Sequence, residues 1–316
     1  MSEVADGRIL VTGALGQIGT DLVERLREIH GSEMVVASDI REIPDHPCVL
    51  NGPFLILDVL SDKILKLVPE ENIQTIYHLA AILSANGEVN PELCESINVD
   101  GTRNILEAAR IHGARVFIPS SIAVFGPDAP KHAPQITALN PTTKYGMTKV
   151  DCEIMGMMYW INHGVDVRGI RYPGIISWKS QVSGGTTDYA VDIFHAALSE
   201  GKSYDCFLKA DTKLPMMYME DAIKATISLM DEPLESMSLA RCGYNISGLS
   251  LCAEELFSEI KKHIPDFICE YKPDVRQNYA DSWPDSIDDS VARKDWNWQP
   301  SFELEELVED MIKNLS

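Results

Sequence analysis

The stretch Arg8-Ile-Leu-Val-Thr-Gly-Ala-Leu-Gly-Gln-Ile-Gly19 decides the fold of this 316-residue chain. Its apolar first part predicts a buried strand, and glycines 13, 16 and 19 fall between that strand and a predicted helix from Gly16 to His30. Gly13 permits a tight turn, Gly16 lets the backbone approach a pyrophosphate, and Gly19 allows close packing of the helix on the strand. The pattern predicts a dinucleotide-binding turn; a helix that merely packs tightly on its strand is the alternative.

Asp39 lies 20 residues after Gly19, at the end of the second predicted strand, Met34 to Asp39. A carboxylate at this position accepts hydrogen bonds from the adenosine ribose hydroxyls and repels a 2′-phosphate. The sequence therefore favours NAD over NADP. An exposed turn in which Asp39 pairs with Arg41 is the alternative.

The rest of the first half alternates short apolar runs with longer helical patterns. This rhythm is typical of an α/β protein with a parallel sheet that is buried on both faces. The further predicted strands are Phe54 to Asp58, Thr75 to Leu79, Arg115 to Ser120 and Asp166 to Arg171, and the helices are Asp62 to Val68, Glu92 to His112 and Lys144 to His163. After Pro173 the rhythm breaks, which predicts a second, smaller α/β lobe.

Composition limits the classes of function. The formal net charge of −21 disfavours nucleic acid and anionic membrane surfaces as partners. We expect no membrane span, because no apolar run approaches about 18 residues. We also expect no secretion signal, because the N-terminus carries Glu3 and Asp6 and no basic or apolar signal region. The seven cysteines form no Cys-x-x-Cys pair and the histidines no ligand pair, so we expect no metal site. A soluble protein of a reducing compartment, the cytoplasm or the mitochondrial matrix, fits these features.

Two further motifs carry groups capable of proton chemistry. In Tyr145-Gly-Met-Thr-Lys149, residues i and i+4 share one helical face, so the Lys149 ammonium would favour the Tyr145 phenolate. In Pro119-Ser-Ser-Ile-Ala-Val-Phe-Gly126, a predicted strand ends in two hydroxyls at the sheet edge where α/β proteins bind ligands. An ordinary helix tyrosine and a serine that caps a turn are the respective alternatives.

Together, the three glycines, Ser121 and the Tyr145/Lys149 pair resemble the extended, epimerase-like short-chain dehydrogenase/reductase family. His78-Leu-Ala-Ala81, Asn98-Val-Asp-Gly-Thr-Arg-Asn104 and Arg171-Tyr-Pro-Gly174 look like further marks of this family. The resemblance implies a doubly wound Rossmann sheet, a bound nicotinamide cofactor and a Ser-Tyr-Lys catalytic set. It covers nearly the whole chain.

The second half of the sequence resembles the threonine-oxidising branch of that family. The strings that carry this resemblance are Arg171 to Ser177, Gly184 to His195, Leu214 to Tyr218 and Ser282 to Trp296. The implied reaction is NAD-dependent oxidation of the L-threonine β-hydroxyl to L-2-amino-3-oxobutanoate, with a tyrosine as general base. A nucleotide-sugar epimerase or dehydratase is the alternative enzyme, and a silent NAD-binding sensor is the alternative outside catalysis.

The expected site residues form three sets. The catalytic set is Ser121, Tyr145 and Lys149, and the substrate-binding set is Ser84, Ser121, Tyr145, Thr186 and Thr187. The cofactor-binding set is Gly13, Gly16, Gln17, Ile18, Gly19, Asp39, Asp58, Val59, Leu79, Ala80, Ala81, Tyr145, Lys149, Tyr172 and Ile175. A loop or helix N-cap is the alternative role for Thr186.

The break in the rhythm after Pro173 predicts the domain boundary, and the resemblance implies the quaternary structure. We expect an NAD-binding domain at 1–175 with a return near 214–247, and a predominantly substrate-binding lobe at 176–316. A homodimer formed by the helices Glu92 to His112 and Lys144 to His163 is also expected, since the second helix carries more apolar surface than one sheet face needs.

Overall fold

The computed structural model describes residues 7–179 and 185–316. Its strands are β1 Arg8–Thr12, β2 Val35–Asp39, β3 Phe54–Ile56, β4 Ile73–His78, β5 Arg115–Phe117, β6 Ser120–Ser121, β7 His132–Ala133, β8 Val167–Arg168, β9 Ile170–Tyr172, β10 Gly174–Ile176, β11 Ser203–Cys206, β12 Lys213–Tyr218, β13 Tyr244–Asn245, β14 Leu249–Cys252, β15 Ile268–Tyr271 and β16 Ser286–Ile287.

The α-helices surround these strands. They are α1 Gln17–His30, α2 Pro47–Leu50, α3 Lys63–Glu70, α4 Ser84–Val89, α5 Pro91–Glu95, α6 Gly101–His112, α7 Lys144–His163, α8 Tyr189–Leu198, α9 Met219–Asp231, α10 Ala253–His263, α11 Arg276–Asp281, α12 Ser290–Trp296 and α13 Leu304–Leu315. The predicted bounds of α7 are confirmed. The helix predicted from Glu92 to His112 is instead α5, a π-helical segment Ser96–Asp100 and α6 in succession.

The main sheet has six parallel strands in the order β3-β2-β1-β4-β5-β8. One face packs against α1 and α9 through residues such as Leu26 and Ala222, and the other packs against α3 and α6 through residues such as Ile64 and Ile105. The predicted doubly wound parallel sheet is therefore confirmed. The strand order reverses between β1 and β4, where ligands of such sheets bind.

Two strands predicted as continuous are each divided in two. Pro119, which has no N–H to donate, separates β5 from β6. Gly169 separates β8 from β9, and a Cβ there would lie 2.6 Å from the carbonyl oxygens of both Ile118 and Cys242. Beyond these breaks, β6 and β9 leave the main sheet and join β13 in a small sheet. The ends of β6 and β9 are thereby turned toward the second lobe.

The second lobe has a core of its own, built by α8, α10 and α13 around buried residues such as Phe194, Leu256 and Leu307. The chain also returns to the first part of the molecule, because β12 pairs in parallel with β10, and β13 pairs with β9. Helix α9 follows β12 and packs against α1.

No helix in residues 7–179 and 185–316 is long and apolar enough to cross a membrane. Nor do these ranges contain three or more His, Cys, Asp or Glu side chains grouped to hold a metal ion.

Candidate active site

The glycine turn lies where the carboxyl ends of β1 and β4 meet. Gly13 has a φ of +68°, and a Cβ at this position would lie 2.6 Å from the backbone nitrogen of Ala80. Any larger residue would therefore be strained and would also push the two strand ends apart. Helix α1 begins directly after the turn, at Gln17, and no side chain caps its N-terminus. Its first turn faces a cleft.

Asp39 ends β2 beside this turn. Its carboxylate accepts hydrogen bonds from the backbone N–H groups of Leu15 at 3.2 Å and Ile40 at 2.9 Å, which fixes its position at the groove. Arg41 lines the same groove, but no ion pair joins it to Asp39 in the described part of the chain. The turn-pair alternative for Asp39 therefore has no support in these contacts. Asp58 and Val59 line the groove opposite.

Helix α7 brings Tyr145 and Lys149 to the cleft. Thr143 caps the helix by accepting a hydrogen bond from the Gly146 N–H, which sets where the first turn starts. Lys149 is almost fully buried, and its Nζ donates to the Pro119 carbonyl oxygen at 2.8 Å. The same Nζ lies 5.6 Å from the centroid of the Tyr145 ring. The ammonium is thus held on the strand break beside the phenol.

Ser121 ends β6 and faces the same cleft. Its Oγ accepts a hydrogen bond from the Ala123 N–H at 3.2 Å and caps the short 3₁₀ helix Ile122–Val124. The capping role that serine often plays is therefore present at Ser121. The hydroxyl remains able to donate its own proton toward the cleft, because capping uses it only as an acceptor.

The substrate-side candidates come from two segments far apart in sequence. Ser84 is the first residue of α4, while Thr186 and Thr187 precede α8. The N-cap of α8 is Asp188, so the N-cap alternative for Thr186 is wrong. One string that resembles the threonine-oxidising branch, Gly184 to His195, begins at Gly184, which lies outside the described residues.

The candidate residues surround one continuous groove. Its part at the candidate catalytic side chains is lined by Gly13, Gly16, Gln17, Ile18, Gly19, Leu79, Ala81, Ser84, Ser121, Tyr145, Lys149, Tyr172, Ile175, Thr186 and Thr187. Its part at the carboxyl end of β2 is lined by Gly13, Gly16, Asp39, Asp58, Val59, Leu79, Ala80 and Ala81. Four residues lie on both parts, so the two form a single elongated groove.

Several residues that line the cleft were not predicted from the sequence, among them Asp188 and Trp283. Asp188 lines it, and its carboxylate accepts a hydrogen bond from the Gly185 N–H at 2.6 Å. Trp283 also lines it and is 7% exposed. Asp188 directly follows the predicted site residue Thr187, and this adjacency could have identified Asp188 from the sequence. Trp283 belongs to the string Ser282 to Trp296 that carries the family resemblance, but its place in the cleft is not visible from a local pattern.

His78, the last residue of β4, is buried near Lys149. Its Nδ1 and the Thr12 hydroxyl lie 2.8 Å apart, and its Nε2 has no hydrogen-bond partner among the described residues. Burial, with a smaller contribution from the nearby Lys149 charge, lowers the pKa of His78 to about 3. The imidazole is therefore neutral at physiological pH, and Lys149 is the cation on this side of the cleft.

Comparison with known proteins places the chain in a family. Residues 9–241 match the model of the NAD dependent epimerase/dehydratase family. The chain belongs to this family. The match confirms the resemblance to extended short-chain dehydrogenases/reductases that the glycine, serine and tyrosine motifs carry.

Members of the family with similar sequences are named as threonine dehydrogenases. The mitochondrial L-threonine 3-dehydrogenase of Bos taurus is 47% identical over 98% of this chain and 83% of its own length. A monomeric L-threonine 3-dehydrogenase from a metagenome, in its apo form, is 51% identical with a TM-score of 0.93, covering 97% of this chain and 98% of that one. The GalE-like L-threonine dehydrogenase of Cupriavidus necator, in its holo form, is 47% identical with a TM-score of 0.94, covering 98% and 100%.

The groove fits the NAD on which the family depends. Gly13 leaves room where a Cβ would collide with Ala80, and the uncapped start of α1 offers backbone N–H groups to phosphate. Asp39 supplies a fixed acceptor at the far end for ribose hydroxyls. The elongated shape matches a dinucleotide laid from Asp39 toward Lys149.

The lowered pKa of His78 predicts a specific dependence of stability on pH. Histidine has a pKa of about 6.5 in an unfolded chain, whereas folded His78 has a pKa of about 3. As the pH falls below about 6.5, the unfolded state therefore binds a proton at this residue that the folded state does not bind. At high pH His78 therefore does not lower the free energy of unfolding. This free energy decreases as the pH falls from about 6.5. Between pH 7 and 5 this loss amounts to about 2 kcal/mol of unfolding free energy.

Replacing His78 with Asn should remove that component while keeping a polar partner for Thr12. Urea unfolding at pH 7 and at pH 5 measures the effect. Between these two pH values the unfolding free energy should decrease less in the variant than in the parent. Replacing the exposed His263 with Asn is the control and should leave the parent profile unchanged. Equal losses in the parent and the His78→Asn variant would contradict the assignment.

Proposed function

We propose that this protein oxidises the β-hydroxyl of L-threonine with NAD, giving L-2-amino-3-oxobutanoate. The observation that carries the proposal is the convergence of Ser121, Tyr145 and Lys149 beside the glycine turn, in a chain that is 47 to 51% identical to relatives named threonine dehydrogenases. The reaction class is oxidation of a secondary alcohol by hydride transfer.

Three side chains perform the proton chemistry. When bound, NAD supplies the acceptor for the hydride that leaves the β-carbon. Tyr145, as phenolate, accepts the proton of the substrate hydroxyl, and Ser121 donates a hydrogen bond to the same oxygen. Lys149 favours the phenolate by its positive charge, and its bond to Pro119 holds it at the correct distance. A general base of this kind contributes about 10² to 10⁴ in rate.

The cleft also suits a small zwitterion. Asp188 provides a carboxylate for the substrate ammonium group. Thr186, Thr187 and Ser84 provide neutral hydroxyl donors for the substrate carboxylate. Trp283, Leu83 and Ile122 supply apolar surface for the methyl group. This combination is compact, whereas a nucleotide sugar needs cations for its two phosphates.

The contacts of two lysines disfavour the epimerase alternative. Lys179 forms ion pairs with Asp21 and Glu24 on α1, at 3.0 and 2.5 Å, and does not line the described part of the cleft. Lys202 pairs with Asp266 and is likewise absent from the described lining. Lys149 is then the cation of the described catalytic cleft, and its ammonium is engaged by Pro119. A silent NAD sensor would have no use for the Ser-Tyr-Lys set.

We further propose that NAD binding and substrate binding belong to different parts of the chain. Residues 1–175, with the return at 214–247, bind NAD, and 176–316 supply most of the substrate site. The division is supported by the glycine turn and Asp39 in the first part, and by Thr186 and Trp283 in the second. The pairing of β12 with β10 and of β13 with β9 supports the return.

A reducing compartment, the cytoplasm or the mitochondrial matrix, is the environment that we propose. All seven cysteines are free thiols, and five of them are buried. Burial raises the pKa of Cys48 to about 11 and of Cys242 to about 12, which keeps both thiols protonated and unreactive.

We also propose a homodimer. Ile154, Met158 and Ile161 stand at helical spacing on α7, and each is more than half exposed. Leu93 of α5 and Ile111 of α6 add exposed apolar surface on the neighbouring helices. A second copy can cover this face by two-fold symmetry, because the same surface then serves both sides. The metagenome relative is named as monomeric, so a measurement on this chain has to decide.

Sedimentation at micromolar concentration should give twice the chain mass. Replacing Ile161 of α7 with Glu should give the monomer mass, because a charge would be buried in the interface. Replacing the exposed Ile136, which lies on a loop, with Glu is the control and should leave the mass doubled. A single chain mass for the unaltered protein rejects the dimer.

The substrate is tested by NADH formation with L-threonine, L-serine, L-allo-threonine and UDP-glucose. We expect a strong signal with threonine and none with UDP-glucose. Serine lacks the methyl group, which should lower kcat/KM by about 10- to 200-fold if the methyl site is apolar. Thr186→Ala should depress kcat/KM for threonine with little change in NAD affinity. No signal with threonine, or turnover of the sugar nucleotide, overturns the proposal.

Replacing Tyr145 with Phe should abolish turnover and spare NAD binding, because the phenol carries a proton and not the cofactor. Steady-state kinetics and an NADH fluorescence titration measure the two effects. Tyr159→Phe is the control on the same helix, since its hydroxyl contacts Glu107 and does not line the described cleft. Activity above about one tenth of the parent would point to another base, because the loss would fall below the usual general-base contribution.

Replacing Asp39 with Ala should weaken the use of NAD and narrow the preference over NADP. We expect kcat/KM for NAD to exceed that for NADP at least about tenfold in the parent, which corresponds to about 1.4 kcal/mol of repulsion. Asp45→Ala removes an equal, exposed charge from the following loop and serves as the control. Equal use of both cofactors by the unaltered protein contradicts the role of Asp39.

A further inference from the structure

We propose that Glu153 is a positioning residue that holds Ser121 in register with Tyr145 and Lys149. Glu153 does not contact the reacting groups directly. It lies on α7 one turn after Lys149, as Lys149 lies one turn after Tyr145, so the three side chains follow one helical face. The inference rests on the proposed function for its kinetic part only.

The Glu153 carboxylate binds two strands at once. One oxygen accepts hydrogen bonds from the Ser120 hydroxyl at 2.5 Å and from the Arg171 Nε at 2.9 Å, and the other accepts from a terminal Arg171 nitrogen at 2.7 Å. The side chains of Glu153 and Arg171 are 10% and 8% exposed. Charge-assisted bonds in such a site are strong and have fixed geometry.

The two residues that Glu153 binds are partners across the small sheet. Ser120 of β6 is paired with Arg171 of β9, and the next pair is Ser121 with Tyr172. Both members of that next pair line the cleft. Glu153 therefore fixes one pair of the ladder, and the following pair carries the proposed catalytic serine.

The strand segment is tied to α7 at a second point as well. Lys149 donates to the Pro119 carbonyl, one residue before Ser120. Two successive residues of this segment are thus tied to α7, the first by Lys149 and the second by Glu153. Because Pro119 has no N–H to donate where β5 and β6 are separated, these ties add to the pairing of β6 with β9 in positioning the segment.

Arg171 is held in place by further contacts. Its other terminal nitrogen donates to the Gln135 carbonyl and to the Asn245 side-chain oxygen, both at 3.2 Å. Its guanidinium carbon lies 5.6 Å from the centroid of the Phe125 ring. The pair is therefore anchored to β13 and to the segment after Ser121. Because Arg171 is held in this way, the Glu153 carboxylate has a fixed position, and its hydrogen bond in turn positions Ser120.

The test separates the Ser120 branch from the ion pair. Ser120→Ala removes one hydroxyl and leaves the Glu153–Arg171 pair intact, so the chain should still fold. We expect kcat for threonine at saturating substrate to fall at least about tenfold, because a displacement of about 1 Å in a reacting group costs up to about 100-fold. The NAD dissociation constant should stay within about twofold. Ser120→Thr retains a hydroxyl and should retain most of kcat.

A matched control removes a hydroxyl elsewhere. Thr75 is buried on β4, and its hydroxyl accepts a hydrogen bond from the Arg115 guanidinium, away from the cleft. Thr75→Val should lower the melting temperature about as much as Ser120→Ala and leave kcat unchanged. A fall in kcat of less than about fivefold in Ser120→Ala, or an equal fall in Thr75→Val, overturns the proposal.

A structural readout keeps the inference independent of the substrate. If the unaltered protein does not reduce NAD with threonine, the proposed function fails, and crystal structures of the parent and Ser120→Ala decide the positioning role. A displacement of the Ser121 Oγ relative to the Tyr145 hydroxyl that exceeds the active-site tolerance of about 0.5 Å supports it. A smaller displacement overturns it.

Discussion

The hydrogen bond from the Lys149 ammonium to the Pro119 carbonyl is the contact on which the proposed catalytic arrangement depends. A buried ammonium needs an acceptor, and this one is a carbonyl at the point where the sheet ladder is interrupted. The bond therefore satisfies Lys149 and docks α7 on the end of β6 in one step. Tyr145 precedes Lys149 by one turn and Ser121 follows Pro119 by two residues. The relative position of all three is set by this docking.

The acidic character of the chain shapes the rest of the site. With a formal net charge of −21, the protein cannot rely on a basic surface to attract an anionic substrate. The described cleft instead has one buried ammonium and the Asp188 carboxylate, together with hydroxyl groups and the backbone N–H groups at the start of α1. His78, buried beside Lys149, is neutral. This composition suits a dinucleotide and a small zwitterion, whose own charges nearly cancel.

Local patterns predicted the parts of the fold that depend on local physics. The glycine turn, Asp39 at the end of β2 and the bounds of α7 follow from backbone freedom, strand length and helical periodicity. The divided strands did not follow, because the apolar runs continue through both breaks. Pro119 has no N–H to donate, and Gly169 is packed against the backbone of Ile118 and Cys242. The Glu153 contacts join α7 to β6 and β9, which are distant in sequence, and one sequence does not reveal them.

The central claim is that hydride leaves the β-carbon of threonine in this cleft. It is tested most directly with L-threonine that carries deuterium on the β-carbon, followed by mass spectrometry of the NADH formed. The account predicts NADH that contains one deuterium atom per molecule. NADH without deuterium, or the absence of NADH, would contradict it.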